Sequence, residues 1–237
     1  MAIKLSTTRQ EAALNGVKML VYGTAGIGKT SLAKTVPDHS KVIILSAESG
    51  LLSLADTDIA VMKIEEMQDL LDAYKWLTTN EQGLSYDWII LDSLSEITEV
   101  VLAAEKTKAG KDKRAAYIPM QEIVESMIKD FRDLPKNILM TCKLEAYQDD
   151  NKMIINRPML VGQKLPVNIP YLFDEVFYMY AGKDADGHEY RALQTQPDRK
   201  VVAKDRSGKL DILEYPSLAH IAEKILSNKP TQTQEGE

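Results

Sequence analysis

The chain has 237 residues, 44% of them hydrophobic and 27% charged, with a formal net charge of −6. That is the make-up of an ordinary globular protein, not of a collagenous, disordered or basic-coated one. No run of 18 or more apolar residues is present, which excludes a transmembrane helix, and a single cysteine, Cys142, excludes an intrachain disulfide or a cysteine-based metal site. Met1–Arg9 lacks the apolar segment of a secretory signal, so a cytoplasmic, non-membrane protein is expected. An acidic chain can still carry a local basic stripe for nucleic acid.

Residues 1–16 are polar with a short amphipathic stretch and read as an N-terminal arm. Val17–Tyr22 follows as an apolar run of strand composition. It leads into Gly23-Thr24-Ala25-Gly26-Ile27-Gly28-Lys29-Thr30-Ser31, which fits G-x-x-x-x-G-K-[ST] at every position. Ser31–Thr35 reads as the first turns of a helix, stopped by Pro37. Strand, glycine loop and helix in that order mark a phosphate-binding P-loop. The glycines let the backbone fold tightly and turn successive N–H groups inward, where they and the helix start cradle phosphates. Lys29 is expected at the β- and γ-phosphates and the Thr30 hydroxyl on Mg²⁺, which makes ATP and Mg²⁺ the expected cofactors.

Lys41–Ala47 is a second strand, apolar enough to be buried on both faces, and Asp58–Met62 a short third. Glu65–Thr78 has Met67, Leu70, Leu71, Tyr74 and Leu77 at helical spacing. Asp87–Asp92 is another buried strand. Ending in an acid, it reads as a Walker B strand in which Asp92 binds Mg²⁺ through water beside Thr30; an acid there could also cap the helix that starts at Ser93. Leu94–Ala104 is helical, Lys106–Arg114 is a basic loop, Ile118–Leu134 is helical up to Pro135, and Asn137–Cys142 is a further buried strand. The pattern then turns strand-rich. Leu144–Arg157 alternates around the turn Asp149–Lys152, Pro158–Pro170 is a loop with a short helix, and Glu175–Tyr180 is a core strand. His188–Gln196 and Lys200–Lys204 read as antiparallel strands, and Ser217–Leu226 as a terminal helix. Residues 228–237 read as a disordered tail. Alternating strands and helices imply a mostly parallel central sheet flanked by helices, with an antiparallel strand-rich C-terminal extension, in one domain over 17–227.

Ring ATPases of the AAA+ type often place the catalytic Glu directly after the Walker B Asp. Here Ser93 stands there, so the base must come from elsewhere. Glu48, just past the second strand, is the candidate to polarise the attacking water. That arrangement, Ser46-Ala47-Glu48-Ser49-Gly50 after the strand that follows the P-loop, resembles the RecA-type core. More narrowly, Val21–Thr30, Ala47–Gly50, Ile90–Ser93 and Ala203–Gly208 resemble the small phage-encoded RecA-like proteins of the Sak recombinase group. The resemblance covers roughly residues 15–215. It implies an ATPase that binds single-stranded DNA in annealing or recombination, forms homo-oligomers, works with a single-strand-binding protein and resides in the host cytoplasm. The chain is too short for the extra DNA-binding domains of larger recombinases, which limits the analogy to the ATPase core.

In such assemblies a neighbouring subunit supplies cations to the γ-phosphate. Lys204 and Arg206, after Arg199 and Lys200, are the candidates, with a solvated basic turn as the alternative. Thr141 could sense the γ-phosphate or be a buried strand residue, and the sequence leaves both open. The DNA-facing loops of that fold follow the third and fourth strands. The first candidate carries Lys106, Lys108, Lys111, Lys113 and Arg114, with Tyr117 nearby to stack on a base. The second, weaker candidate is Tyr147–Gln163, with Lys152 and Arg157.

Guanine specificity is discounted, because Asn151-Lys152-Met153-Ile154 and Asn228-Lys229-Pro230-Thr231 both lack the Asp of a base-reading motif. No Arg-rich lid of a small-molecule kinase is evident. His39, His188 and His220 show no second ligand at metal spacing. A nucleotide-switched assembly or loader protein that never touches DNA is the competing reading.

Overall fold

The computed structural model of this chain describes residues 16–48 and 50–227. The expected arm, Gly16 apart, and the expected tail lie outside the described residues, as does Ser49. In chain order the strands are β1 (Lys18–Gly23), β2 (Val42–Ser46), β3 (Ala60–Lys63), β4 (Trp88–Asp92), β5 (Asn137–Gln148), β6 (Ile154–Met159), β7 (Glu175–Lys183), β8 (Glu189–Gln194), β9 (Lys204–Asp205) and β10 (Leu213–Glu214). The principal helices are α1 (Met67–Thr79), α2 (Leu94–Lys108), α3 (Tyr117–Arg132), α4 (Leu165–Leu172) and α5 (Leu218–Leu226). The segment after the glycine loop, Thr30–Thr35, is a 3-10 helix.

All ten strands join one sheet in the order β10-β8-β7-β1-β5-β4-β2-β3, with β6 added to β5 and β9 to β7. The six strands from β7 to β3 are mutually parallel. The pairings made by β6, β8, β9 and β10 are antiparallel. This is the α/β P-loop architecture expected from the sequence. Strand β5 lies between β1 and β4, so the glycine loop and the acid that ends β4 face each other across one intervening strand.

The parallel strands are apolar on both faces because both faces are covered. Leu20 and Tyr22 of β1, Ile43 and Leu45 of β2 and Ile89 and Leu91 of β4 pack under α1, α2 and α3. Their neighbours Met19, Val21, Ile44 and Ile90 pack against the Thr30–Thr35 helix and α5. The alternation is the two-residue period of a strand dividing its side chains between two layers. Helix starts follow local chemistry. Asp69 accepts from the backbone N–H groups of Glu65 and Glu66 at 2.9 Å to open α1, and the Ser217 hydroxyl caps α5.

Several boundaries differ from the sequence reading. The strand expected over 137–142 and the hairpin strand expected from 144 are one twelve-residue strand, because the antiparallel partner β6 extends β5 beyond the parallel sheet. The basic loop expected from Lys106 is largely structured. α2 continues through Lys106 and Lys108, where cations meet the negative end of a helix, and Lys113–Ala116 forms a 3-10 turn. Lys200–Lys204 is not a strand, since Val201 makes an isolated bridge to Asn156 and pairing resumes only at Lys204. His188 does have possible co-ligands: Asp184, Asp186 and His188 bring ligand atoms within 4.8 Å of one another. The Asp184 carboxylate there closes an exposed turn by accepting from the backbone N–H of Asp186 and of His188. No described helix is long and apolar enough to cross a membrane.

One buried acid lies at the start of β7. Glu175 is buried opposite Asp205, and its Oε2 has no hydrogen-bond partner. Burial, with the Asp205 carboxylate adding to it, pushes its carboxyl up to about 9, so it is protonated at neutral pH. A folded-state value above the unfolded one means its contribution to stability is complete below the ordinary carboxyl range and is lost as pH rises through about 9. Glu175→Gln, which keeps the shape and removes the titration, should flatten the fall in Tm between pH 5 and 9. At pH 9 it should melt at least about 2–4 °C above wild type. A thermal melt series across pH checks this; parallel wild-type and variant curves would contradict it.

Candidate nucleotide site

The glycine loop leaves the end of β1 with Gly26 (φ 72°) and Gly28 (φ 110°) in the left-handed region that side chains disfavour. Gly23 is needed for a different reason. A Cβ on it would lie 2.5 Å from the carbonyl oxygen of Met179 on the adjacent β7. Thus the residues that identify the motif are also those the local geometry demands.

A cleft of about 580 Å³ opens over this loop. Its walls bring together Lys29, Thr30, Glu48 and Asp92, which come from three separate parts of the sequence. Lys29 Nζ donates to the carbonyls of Gly23 and Thr24, each at 3.0 Å. Burial holds the Lys29 ammonium below its usual range, while the carboxylates of Glu48 and Asp92 pull it back up. Thr30 Oγ1 donates to Asp92 Oδ2 at 2.7 Å. Thr141, fully buried on β5, donates to the other carboxylate oxygen, Oδ1. Asp92 itself is buried. A hydroxyl and a fixed carboxylate side by side are hard oxygen donors, and the set fits Mg²⁺.

Glu48 reaches the cleft because β2 and β4 run in register, Ser46 opposite Asp92. Beyond that pair, the N–H groups of Ala47 and Glu48 both point to the Asp92 carbonyl, at 2.9 and 3.4 Å. The Ser93 hydroxyl donates to Glu48 Oε1. Ser93, which stands where AAA+ ATPases often carry the catalytic acid, therefore orients the acid supplied from beyond β2. It also caps α2, the place the sequence reading allowed for Asp92. The sequence signal for this role was present, a hydroxyl residue directly after the Walker B acid, but nothing in the sequence paired it with Glu48. Lys143, Leu144 and Met159 of the β5–β6 hairpin complete the cleft wall; Met159 falls in the stretch 147–163 expected to face DNA, and Lys143 and Leu144 were not among the expected site residues. Lys143 is paired with Glu96, and that bond raises its ammonium above the usual range.

The structure places the remaining expected residues elsewhere. Thr141 does not line the cleft; it acts on Asp92 from the buried side. Lys204 and Arg206 stand where β9 meets the start of β7, whereas the glycine loop follows the far end of β1. Lys204 Nζ donates to the carbonyl of Phe173 at 2.5 Å, and Arg206 pairs with Asp174 at 2.7 Å. Neither reaches the phosphate cleft of its own chain. Lys106 lies over the Tyr117 ring at 5.8 Å, Lys108 pairs with Glu105, and Lys113 donates to the Lys106 carbonyl. Lys111 and Arg114 make no ion pair among the described residues.

Lys29→Ala should abolish nucleotide binding, and Glu48→Gln should retain it while turnover falls by about 10²–10⁴-fold. Equilibrium binding and steady-state hydrolysis measured on the same preparations check both, and normal turnover by Glu48→Gln would remove it as the base. Ser93→Ala, which frees Glu48 without deleting it, should lower kcat more than it changes KM.

A family model described as an AAA domain matches residues 15–207. No curated protein matches the chain. Among solved structures, a KaiC-like protein from the hyperthermophilic archaeon Pyrococcus horikoshii OT3 is similar at a TM-score of 0.45 and 11% identity, covering 76% of this chain and 77% of that one. An ATPase from the type III secretion system of pathogenic bacteria is similar at 0.45 and 13%, covering 71% of this chain and 55% of its own. Similarities this low carry no inference about activity. The match is to an AAA domain, and the acid facing the loop is Glu48, just past the end of β2. Matched over most of its length and carrying an intact glycine loop with its acidic partner, the chain belongs to the AAA domain family and is an ATPase of the P-loop fold.

Proposed function

We propose that this ATPase works on single-stranded DNA, as a RecA-like protein of recombination or strand annealing. The reading is supported by one observation above others. The nucleotide cleft shares a wall with a groove that runs beside the basic segment. Lys143 and Met159 line the cleft, and the same two residues line an adjoining groove with Tyr117, over which Lys106 sits. A strand lying along that groove would touch the β5–β6 hairpin that closes the nucleotide cleft. Arg157, paired with Glu145 at 2.7 Å, stacks on Tyr147 at 3.8 Å and gives that hairpin an aromatic face of the kind on which bases stack.

In this account ATP is held by the glycine loop and Lys29. Mg²⁺, held by Thr30 with Asp92 behind it, would neutralise charge on the β- and γ-phosphate oxygens. Glu48, oriented by Ser93, takes the proton of the attacking water. Asp92 is held between two hydroxyls. Arg206 serves a neighbouring copy, which makes the active form a homo-oligomer. The resemblance to phage recombinases of the Sak group adds a single-strand-binding protein as partner and the host cytoplasm as location.

A second reading is favoured by a different observation. Lys106, Lys108 and Lys113 are already engaged within the chain, and Glu96 and Glu99 line the same groove. Such a face suits a protein partner under nucleotide control, an assembly or loader ATPase. Hydrolysis measured with and without single-stranded DNA separates the two. The recombinase reading expects turnover to rise several-fold with DNA and the rise to be lost in Lys111→Ala/Arg114→Ala. DNA-indifferent turnover with no gel shift in any nucleotide state would leave the second.

A further inference from the structure

The glycine loop has a cavity on its other side as well. It measures about 830 Å³ and shares Thr24, Ala25, Gly26, Gly28 and Ser31 with the phosphate cleft. Its chemistry is different. None of Lys29, Glu48 and Asp92 lines it; its outer wall is Glu189, Tyr190 and Arg191 of β8 with Tyr215 and Pro216, which follow β10. Resting on the reading of the first cleft as the triphosphate site, we infer that this second chamber takes the nucleoside end of the nucleotide. The base stacks on Tyr215, and the Arg191 guanidinium meets the chain of phosphates where it leaves the loop.

Four observations carry this. The volume is that of a small-molecule site. Tyr215 is 72% exposed, yet the backbone around it is pinned. Glu214, just before it, is buried and accepts from Lys224 and from the Asp211 N–H. Leu218, just after it, donates its N–H to Thr35 Oγ1 at 2.7 Å, which ties this segment to the helix that follows the glycine loop. An aromatic ring held in the open on a fixed frame is pre-organised for stacking. Arg191 lies against the loop, its Nη1 3.1 Å from where a Gly28 Cβ would stand, and has no ion pair among the described residues. Finally, the two chambers meet only along the glycine loop, so a ligand with an anionic end and an aromatic end can occupy both at once. The strand-rich C-terminal extension thereby becomes the part of the chain that holds the base.

The test compares Mg–ATP with Mg–tripolyphosphate, which has the phosphates and no nucleoside, by calorimetric titration of the full chain. Wild type should bind ATP at least about tenfold more tightly than tripolyphosphate. Tyr215→Ala should lose roughly 5- to 100-fold in ATP affinity with tripolyphosphate affinity unchanged, and Tyr215→Phe should restore it. Arg191→Met should weaken both ligands. Equal wild-type affinity for the two ligands, or undiminished ATP binding by Tyr215→Ala, overturns the base chamber while leaving the phosphate cleft standing. Binding of neither ligand by wild type would instead overturn the phosphate cleft, and this inference with it.

Discussion

The carboxylate of Asp92 is gripped from two sides, by Thr30 of the glycine loop and by Thr141 of β5. Its backbone carbonyl receives the chain that carries Glu48, and its neighbour Ser93 holds the Glu48 side chain. Three segments distant in sequence therefore converge on one buried acid. Such a group is costly to bury unless it is fully hydrogen-bonded. The two hydroxyls meet that cost, and in doing so they fix the distance between β4 and the loop. The parallel sheet serves this arrangement: β5 between β1 and β4 sets the spacing, and the β2–β4 register sets the height of Glu48.

Much of this was legible in the sequence because its signals are local. The glycine loop needs residue types at fixed spacing, and its glycines are required by φ and by the approach of Met179. Buried strands read as unbroken apolar runs. Asp92 and Glu48 were visible as acids at strand ends. What the sequence could not show is pairing across distance. Ser93 looked like an absence until β2 placed Glu48 beside it. Thr141 could be a sensor or a filler until its hydroxyl was seen to face Asp92 rather than the cleft. The cations of 106–114 read as a free loop because helix continuation through Lys108 depends on packing of α2, not on local composition. The second chamber was invisible for the same reason, since Tyr190, Arg191 and Tyr215 carry no motif and meet the loop only through the order β8-β7-β1.

The two sides of the loop divide the chemistry. On one side lie a cation, two acids and hydroxyls, suited to phosphate, metal and water. On the other lie exposed aromatic rings, suited to a planar base, and the Arg191 guanidinium, which makes no ion pair among the described residues. The β5–β6 hairpin extends the first side outward and supplies the wall through which a bound polymer or partner could sense the nucleotide. Coupling of this kind requires the hairpin to sit differently in different nucleotide states; Lys143, bonded to Glu96 and facing the cleft, is where the two meet.

The account stands on Asp92 as the fixed acid behind the metal. The Mg²⁺ dependence of ATP hydrolysis in Asp92→Asn tests it most directly. The variant keeps the side chain's shape, leaves one oxygen to accept from the two hydroxyls, and removes the charge. It should still bind ATP, but its turnover should collapse and the Mg²⁺ concentration for half-maximal rate should rise by an order of magnitude or more. Hydrolysis at the wild-type rate with an unchanged Mg²⁺ profile would contradict the assignment of Asp92 and with it the geometry on which the site is built.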